Sequence, residues 1–253
     1  MKGFTDIHQH LIFGIDNDGP ITIEDTYNMI VANKQEGIGS VFATPHITPG
    51  IIPFSMNEYL AKVEKAREFC WRHSITMNIY TGGEILYTDM TPNYLQEGKI
   101  PTMAGTSFVL VEFPVDVQYN KIVSALKKLN SYGYIPILAH IERYRSLTIY
   151  PFRALKLREQ CDVRYQVNCS TIINKTGFRL KYFLKVLFDH EMVDAVASDA
   201  HNTKSRPVIM EKVYDALRRR YGRSCAARLI GYNGNFITKV LNLSCVSTNY
   251  YSK

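Results

Sequence analysis

The sequence predicts an α/β fold in which seven parallel strands, each leading into helical or loop structure, close into one barrel. Three observations predict it. Short apolar runs alternate with helical patterns along the chain, the signature of βαβ units. Seven such runs follow one another with no Pro-, Gly- or Ser-rich break. The chain has 253 residues, 46% of them hydrophobic, enough to bury one core at the upper end of single-domain size. An open doubly wound sheet is the alternative arrangement of the same units.

The elements follow in order. Residues 4–8 form a short strand, and 22–36 a helix with Thr22 or Asp25 near its cap. The second strand, 40–44, is rich in small and β-favouring residues. Residues 57–73 are helical because Leu60, Val63, Ala66 and Phe69 recur at three- to four-residue spacing. Residues 76–81 form the third strand, and 108–112 the fourth, continuously apolar as a strand buried on both faces should be. A helix at 121–131 precedes the fifth strand at 135–140. The helix at 151–159 opens on a proline, which suits a first turn. The sixth strand is 165–168, then a helix at 180–188, the seventh strand at 193–198 and a helix at 208–221. Residues 231–253 mix Asn, Ser, Tyr and Gly, and predict a short helical end followed by a flexible tail at 241–253. Residues 1–240 are then read as a single domain.

Composition removes several classes. The apolar content excludes a disordered chain, and 15 glycines without a repeat exclude collagen-like and solenoid architectures. No apolar run approaches the roughly 18 residues of a spanning helix. The first eight residues lack the apolar centre of a signal peptide, so a cytoplasmic, non-spanning protein is expected. Cys70, Cys161, Cys169, Cys225 and Cys245 form no C-x-x-C pair, which speaks against a disulfide framework or a structural zinc site. The net charge of +7 is uneven: residues 1–133 carry 10 basic and 14 acidic side chains, residues 134–253 carry 20 and 9. A basic half attracts anions such as phosphate esters. Without interleaved aromatics it does not indicate nucleic acid.

Barrel enzymes place their chemistry at the C-terminal ends of the strands. The first strand ends Asp6-Ile7-His8-Gln9-His10, where alternation would set Asp6, His8 and His10 on one face. The others lead to Thr44-Pro45-His46, Gly82-Gly83-Glu84, Glu112, His140 with Arg143, Asn168, and Ser198-Asp199-Ala200-His201 with Arg206. The paired glycines let the backbone approach something closely. Of seven histidines, His8, His10, His46, His140 and His201 fall at strand ends, whereas His73 and His190 sit in or beside helices. With Glu84, Glu112 and Asp199 they make eight candidate ligands at one rim. Imidazoles and carboxylates without thiolate suit Mn, Fe, Zn or Mg, and eight are too many for one ion. Clustered ions suit hydrolysis of phosphate esters, and Arg143 and Arg206 offer guanidinium forks for the phosphate.

This ordered series, D-x-H-x-H at 6–10, T-P-H at 44–46, G-G-E at 82–84 and the lone Glu112, resembles the polymerase-and-histidinol-phosphatase (PHP) superfamily. His140-Ile141-Glu142-Arg143-Tyr144, Gln166-Val167-Asn168 and Ser198-Asp199-Ala200-His201 with Arg206 narrow the resemblance to its CpsB/CapC branch, over about residues 4–240. The resemblance implies a distorted (β/α)7 TIM-like barrel, the PHP fold, with a three-metal centre. Mn2+ is the implied metal, with Fe, Zn, Mg or Co as alternatives. It implies that His8, His10, Glu84 and Asp199 hold one ion, that Glu84 bridges to a second shared with Glu112 and His140, and that His46 and His201 hold a third. Arg143 and Arg206 match the substrate-phosphate arginines; with His201 and Asp18 they are the expected catalytic residues. Asp6 is expected to orient a histidine. The stretch after the first histidines, residues 14–19, is one residue longer than the family's G-x-D-D-G, so Asp16 or Asp18 could take its aspartate position; Asp18, before Gly19-Pro20, is preferred.

The implied activity is hydrolysis of phosphotyrosine by metal-bound hydroxide. The implied partner is a phosphotyrosine protein, a tyrosine kinase of polysaccharide export that controls capsule or exopolysaccharide synthesis. The alternative is a small-molecule phosphoesterase of the same superfamily, such as a histidinol phosphatase. Cysteine-dependent phosphatases need Arg six residues after the nucleophile. Here those positions are Thr76, Val167, Lys175, Gly231 and Tyr251, which excludes thiolate catalysis.

Overall fold

The structure is a computed structural model that describes residues 3–174 and 176–231, together with 236, 237, 239 and 241. Among the described residues nine strands appear: β1 (Phe4–Gln9), β2 (Ile38–Ala43), β3 (His46–Ile47), β4 (Asn78–Thr81), β5 (Glu84–Leu86), β6 (Phe108–Glu112), β7 (Ile135–Leu138), β8 (Arg164–Asn168) and β9 (Ala195–Ala197). The helices are α1 (Ile23–Gln35), α2 (Met56–Arg72), α3 (Thr91–Gln96), α4 (Tyr119–Ser131), α5 (Arg145–Thr148), α6 (Phe152–Gln160), α7 (Cys169–Ile173), α8 (Phe178–Asp189) and α9 (Met210–Ile230).

Nine segments still occupy seven positions in a ring. β2 and β3 are two halves of one broken strand, and β4 and β5 of another, because β2 pairs with β4 while β3 pairs with β5. All ladders are parallel, in the orders β1-β2-β4 and β3-β5-β6-β7-β8-β9. A parallel bridge between Gln9 and Ala200 joins the two sheets. There Asp199 N donates to His8 O and His10 N to Ala200 O, both at 2.9 Å. The distortion is local. Among the described residues β4 pairs only with β2, and the 3-10 turn Met103–Gly105 stands beside β4 and β6, with Met103 buried in the barrel.

The breaks have causes in the sequence. A Cβ on Gly82 would meet Met103 Sδ at 2.9 Å and Thr44 Cγ2 at 3.0 Å, and one on Gly83 would meet Ile47 Cδ1 at 2.5 Å. The neighbours that these glycines admit are therefore the plug of the barrel and the other broken strand. The buried Tyr59 hydroxyl donates to Ala43 O and accepts from Gly82 N, tying the two breaks together. Strand alternation separates two cores. Ile7, Phe42, Phe108, Leu110, Ile137, Ala139, Ala195 and Ala197 fill the barrel, while Val109, Val111, Leu138, Val167 and Val196 face the helices.

Several helix ends match their sequence signals. Thr22 caps α1, its hydroxyl accepting from Asp25 N while Asp25 returns the bond to Thr22 N. The last helix extends past the expected 221: Gly222 takes φ +86° and helix resumes to Ile230. The six-residue α3, opened by Pro92, lies in a stretch where no element was expected, too short to show helical periodicity. The expected tail lies, from residue 242 on, outside the described residues, as does Cys245. Among the described residues no helix is long and apolar enough to cross a membrane.

Candidate metal centre

The C-terminal ends of the strands converge as alternation requires. On β6, Leu110 faces the barrel and so Glu112 does too. His46 and Glu84 stand level with each other and Glu84 with Leu110 in the parallel ladders. The first strand departs from simple alternation. A register shift between Asp6 and Gln9 lets three steps on β1 match two on β2. Ile7 fills the barrel, and after the bulge His8 and His10 face the site. Asp6 does not share their face, contrary to the alternation argument. Its carboxylate accepts from Ser198 N at 2.9 Å, Ser198 Oγ at 2.5 Å and Gln9 Nε2 at 3.1 Å, and Gln9 in turn bonds Asn33 of α1. Asp6 thus braces the backbone that carries the ligands rather than a histidine ring.

His140 and Asp199 turn into the site by another route. Both take left-handed backbone, φ 31° and 52°, at the ends of β7 and β9. Such conformations cost about 1–2 kcal/mol for a residue with a Cβ.

Among the described residues three groupings have donor atoms that all lie within 4.8 Å of one another: His8, His10, Glu84 and Asp199; His46, Glu84 and Glu112; and His10, Asp18, His46 and His201. Glu84 is the hub. Its Oε2 is 3.3 Å from His8 Nε2, 3.2 Å from His10 Nε2 and 3.1 Å from His46 Nδ1, and its Oε1 is 2.6 Å from His140 Nε2. His140 Nε2 also lies 3.6 Å from Glu112. His8, His10, Glu84, His140, Asp199 and His201 are buried; Asp18 and His46 stand at the open mouth.

The imidazoles are oriented from behind. Gln166 Oε1 accepts the His140 backbone N–H at 2.7 Å, so the atom facing His8 Nδ1 at 3.2 Å is an oxygen and His8 carries its proton there. Asp16 sits 2.7 Å from His10 Nδ1 and also accepts from His46 N. His201 Nδ1 lies 3.0 Å from Asp199 O. Each leaves Nε2 free, and His8 Nε2, His10 Nε2, His201 Nε2 and Glu84 Oε2 are buried without a hydrogen-bond partner. Buried polar atoms left orphaned together are expected where a cation belongs. Nitrogen and oxygen donors without sulfur fit a borderline or hard divalent ion.

Asp16 and Asp18 separate here: Asp16 backs His10, while Asp18 lies 3.0 Å from His201 and 3.3 Å from Arg206. Arg143 Nη2 and Arg206 Nη2 approach Asp199 Oδ2 to 2.6 and 3.0 Å, and both side chains are partly open to solvent.

Electrostatics without a metal match this packing. Burial alone would push His8 down, but the Glu84 and Asp199 carboxylates raise it to about 10. His46, also opposed by burial, is raised to about 9 by Glu112 and Glu84. Burial, His10 and Arg206 lower His201 to about 4. Asp199 is held at about 2, where His8 and the two arginines overcome burial and the like charge of Glu84. Burial raises the Cys70 thiol to about 11, Cys169 well above its usual value, and Cys161 as well, which keeps these three protonated.

Gln166 and Asn168, noted in the sequence only as part of a motif, acquire a role here. They share one face of β8 as i and i+2, the signal that could have revealed them. Gln166 Nε2 donates to Asn168 Oδ1, and Asn168 Nδ2 donates to Asp199 Oδ2 at 2.7 Å. Gln166→Leu is expected to weaken divalent-metal binding by about 10- to 100-fold, as loss of an outer-shell partner does. A competition titration with a metal indicator checks this; unchanged affinity would show that Gln166 does not orient His8.

The family described as capsular polysaccharide synthesis, CpsB/CapC, matches residues 4–239. The tyrosine-protein phosphatase CpsB of Streptococcus pneumoniae is 30% identical over 231 residues, 88% of this chain and 93% of that protein. The tyrosine-protein phosphatase YwqE of Bacillus subtilis (strain 168) is 29% identical over 220 residues, 86% of this chain and 85% of that one. Among solved structures, one from work on YwqE from Bacillus subtilis and CpsB from Streptococcus pneumoniae, described as unique metal-dependent tyrosine phosphatases, matches with a TM-score of 0.80 and 26% identity over 89% of this chain and 90% of that one. A candidate histidinol phosphatase from Listeria monocytogenes matches in fold alone, with a TM-score of 0.51 and 10% identity over 78% of this chain and 95% of that one.

Proposed function

The chain belongs to the CpsB/CapC capsular polysaccharide synthesis family, and from that premise we infer that it is a metal-dependent protein-tyrosine phosphatase. The observation that carries the reading is the set of orphaned donors on His8, His10, His201 and Glu84, flanked by Arg143 and Arg206 at an open mouth.

We assign His8, His10, Glu84 and Asp199 to one ion, and Glu84, Glu112 and His140, with His46 beside them, to a second. His46 and His201 would hold a third, with Asp18 and His10 in reach. Mn2+ is the proposed metal. When bound, the ions supply Lewis acidity toward the phosphoryl oxygens and an activated water.

The chain's own residues do the rest. Arg143 and Arg206 offer guanidinium forks to the phosphoryl oxygens and offset the charge that develops there. Their shared contact with Asp199 keeps both beside the ligand cluster. Asp18 fixes the approach of Arg206 and His201. The leaving phenolate, with a free pKa of about 10, needs less proton donation than an alkoxide.

A protein substrate is favoured over a small one by the rim. Ile21, Ile51, Ile52, Met90, Val115 and Ile149 are exposed apolar side chains on the loops that follow the strands. Such residues around a mouth suit docking against another protein. The proposed partner is a tyrosine kinase of polysaccharide export, encountered in the cytoplasm, with residues 1–240 as the phosphatase domain.

The test compares phosphate release from a phosphotyrosine peptide and from histidinol phosphate, using metal-stripped protein with and without Mn2+. Turnover of the peptide that returns with Mn2+, with little on histidinol phosphate, is the expected result. Preference for histidinol phosphate would move the protein to the small-molecule alternative.

A further inference from the structure

A second pair of arginines stands on the rim, outside the ligand cluster. Arg145 opens α5, two residues beyond Arg143, and Arg153 lies in the first turn of α6. With Ser146 and Ile149 they form one wall of a groove of about 380 Å3, and residues 116–120 form the other. The groove lies beside the loops that carry Glu112 and Arg143, because the segments after β6 and β7 are laced together. Arg145 N donates to Val115 O at 3.0 Å, and Phe113 N donates to Tyr144 Oη at 3.3 Å.

Among the described residues Arg145 and Arg153 form no ion pair, although Asp116 lines the same groove. Arg153 is also held in place. Its guanidinium lies 4.2 Å from the Tyr150 ring centroid and 5.2 Å from that of Tyr119, and Nη1 donates to Ser146 O. A guanidinium fixed over aromatic faces is pre-organised for a planar anion and keeps most of its five donors free. Ser146 Oγ, on the same wall, is buried without a hydrogen-bond partner.

We propose that this groove is a specificity subsite for an acidic residue of the phosphotyrosyl substrate, with Arg145 and Arg153 recognising its carboxylate. The proposal rests on the phosphatase reading. An extended peptide advances about 3.3 Å per residue, so a groove beside the phosphoryl site is read by residues within a few positions of the phosphotyrosine. Charge complementarity selects this occupant: two unpaired guanidinium groups favour a carboxylate and disfavour a lysine-bearing segment.

The test uses metal-loaded full-length protein and three phosphotyrosine peptides, with Glu, Ala or Lys at the three positions on each side of the phosphotyrosine. Wild type should prefer the Glu peptide over the Ala peptide by about fivefold or more in kcat/KM, with the Lys peptide poorest. In the Arg145→Ala/Arg153→Ala double variant that preference should fall below about twofold, the change lying in KM for the Glu peptide rather than in kcat. Arg145→Glu/Arg153→Glu should reverse the order in favour of Lys. Equal wild-type rates on the three peptides, or a preference that survives both double variants, would overturn the subsite. Free phosphotyrosine serves as the reference substrate, since its failure to turn over would instead overturn the phosphatase reading and the subsite with it.

Discussion

Glu84→Gln is expected to lower kcat on a phosphotyrosine peptide by at least about a thousandfold, the scale of losing an electrostatic element acting at the reacting group. Among the described residues no other carboxylate faces as many imidazoles: His8, His10 and His46 surround one oxygen and His140 the other. The amide keeps the shape but replaces an acceptor by an N–H donor, which faces imidazole nitrogens and cannot ligate a cation. Bound metal, measured by elemental analysis after dialysis, should fall with activity. The metal-free protein offers an independent readout. His8 is raised to about 10, above its unfolded value near 6.5, so it contributes stability that is complete below about pH 6.5 and is lost as pH rises toward 10. Wild-type protein in chelator should therefore lose melting temperature across that window. In Glu84→Gln the slope should flatten, because the first carboxylate raising His8 is gone. Full activity with normal metal content in the variant would refute the hub assignment.

The sequence made the donor set legible because strand ends are where a barrel exposes its inward face. Glu112 follows from Leu110 by simple alternation, and His46 and Glu84 from the positions just after two apolar runs. It could not show the backbone that delivers the other ligands. His8 and His10 depend on a bulge, and His140 and Asp199 on left-handed turns, none of which has a composition signal in residues of these types. The glycines at 82 and 83 announced a close approach, but only the packing shows that Met103, Thr44 and Ile47 are the neighbours and that two strands are broken there. Gln166 and Asn168 stand in the motifs that carry the resemblance, but their roles are not legible there, for a related reason. Side-chain amides are neither charged nor apolar, and their role exists only through partners far along the chain, His8 being 158 residues from Gln166. The same distance made Asp6 misleading: its partner Ser198 lies 192 residues away, across the seam of the barrel.

That seam gives the second large expected effect. Asp6→Ala should destabilise the protein by about 3–5 kcal/mol, a fall in melting temperature of roughly 10 °C for a chain of this size. Asp6 is buried at the closure of β1 on β9, where it satisfies Ser198 N, Ser198 Oγ and Gln9 Nε2 at once. Alanine leaves the Ser198 amide without an acceptor in a place water does not reach, with Gln9 Nε2 left only Asn33 and Ser198 Oγ only the His8 carbonyl at 3.4 Å, and the cost of an orphaned donor exceeds the worth of the bond itself. Burial raises the Asp6 carboxyl above its ordinary value, with the Ser198 bonds only partly offsetting it. A raised acid favours the folded state most below its unfolded pKa, and that contribution declines as pH rises through the folded value. Asp6→Asn should therefore cost less than Asp6→Ala at neutral pH, since it removes the buried charge and keeps one oxygen for the Ser198 and His8 amides. It still loses the bond from Gln9, whose own oxygen is taken by Asn33. Ser198 precedes Asp199, so a loosened seam should also lower kcat/KM by about 10- to 100-fold, by displacing a ligand rather than removing one. Thermal melts of wild type, Asp6→Asn and Asp6→Ala should fall in that order. An alanine variant melting within about 2 °C of wild type would show that the ring is closed by its backbone bonds alone.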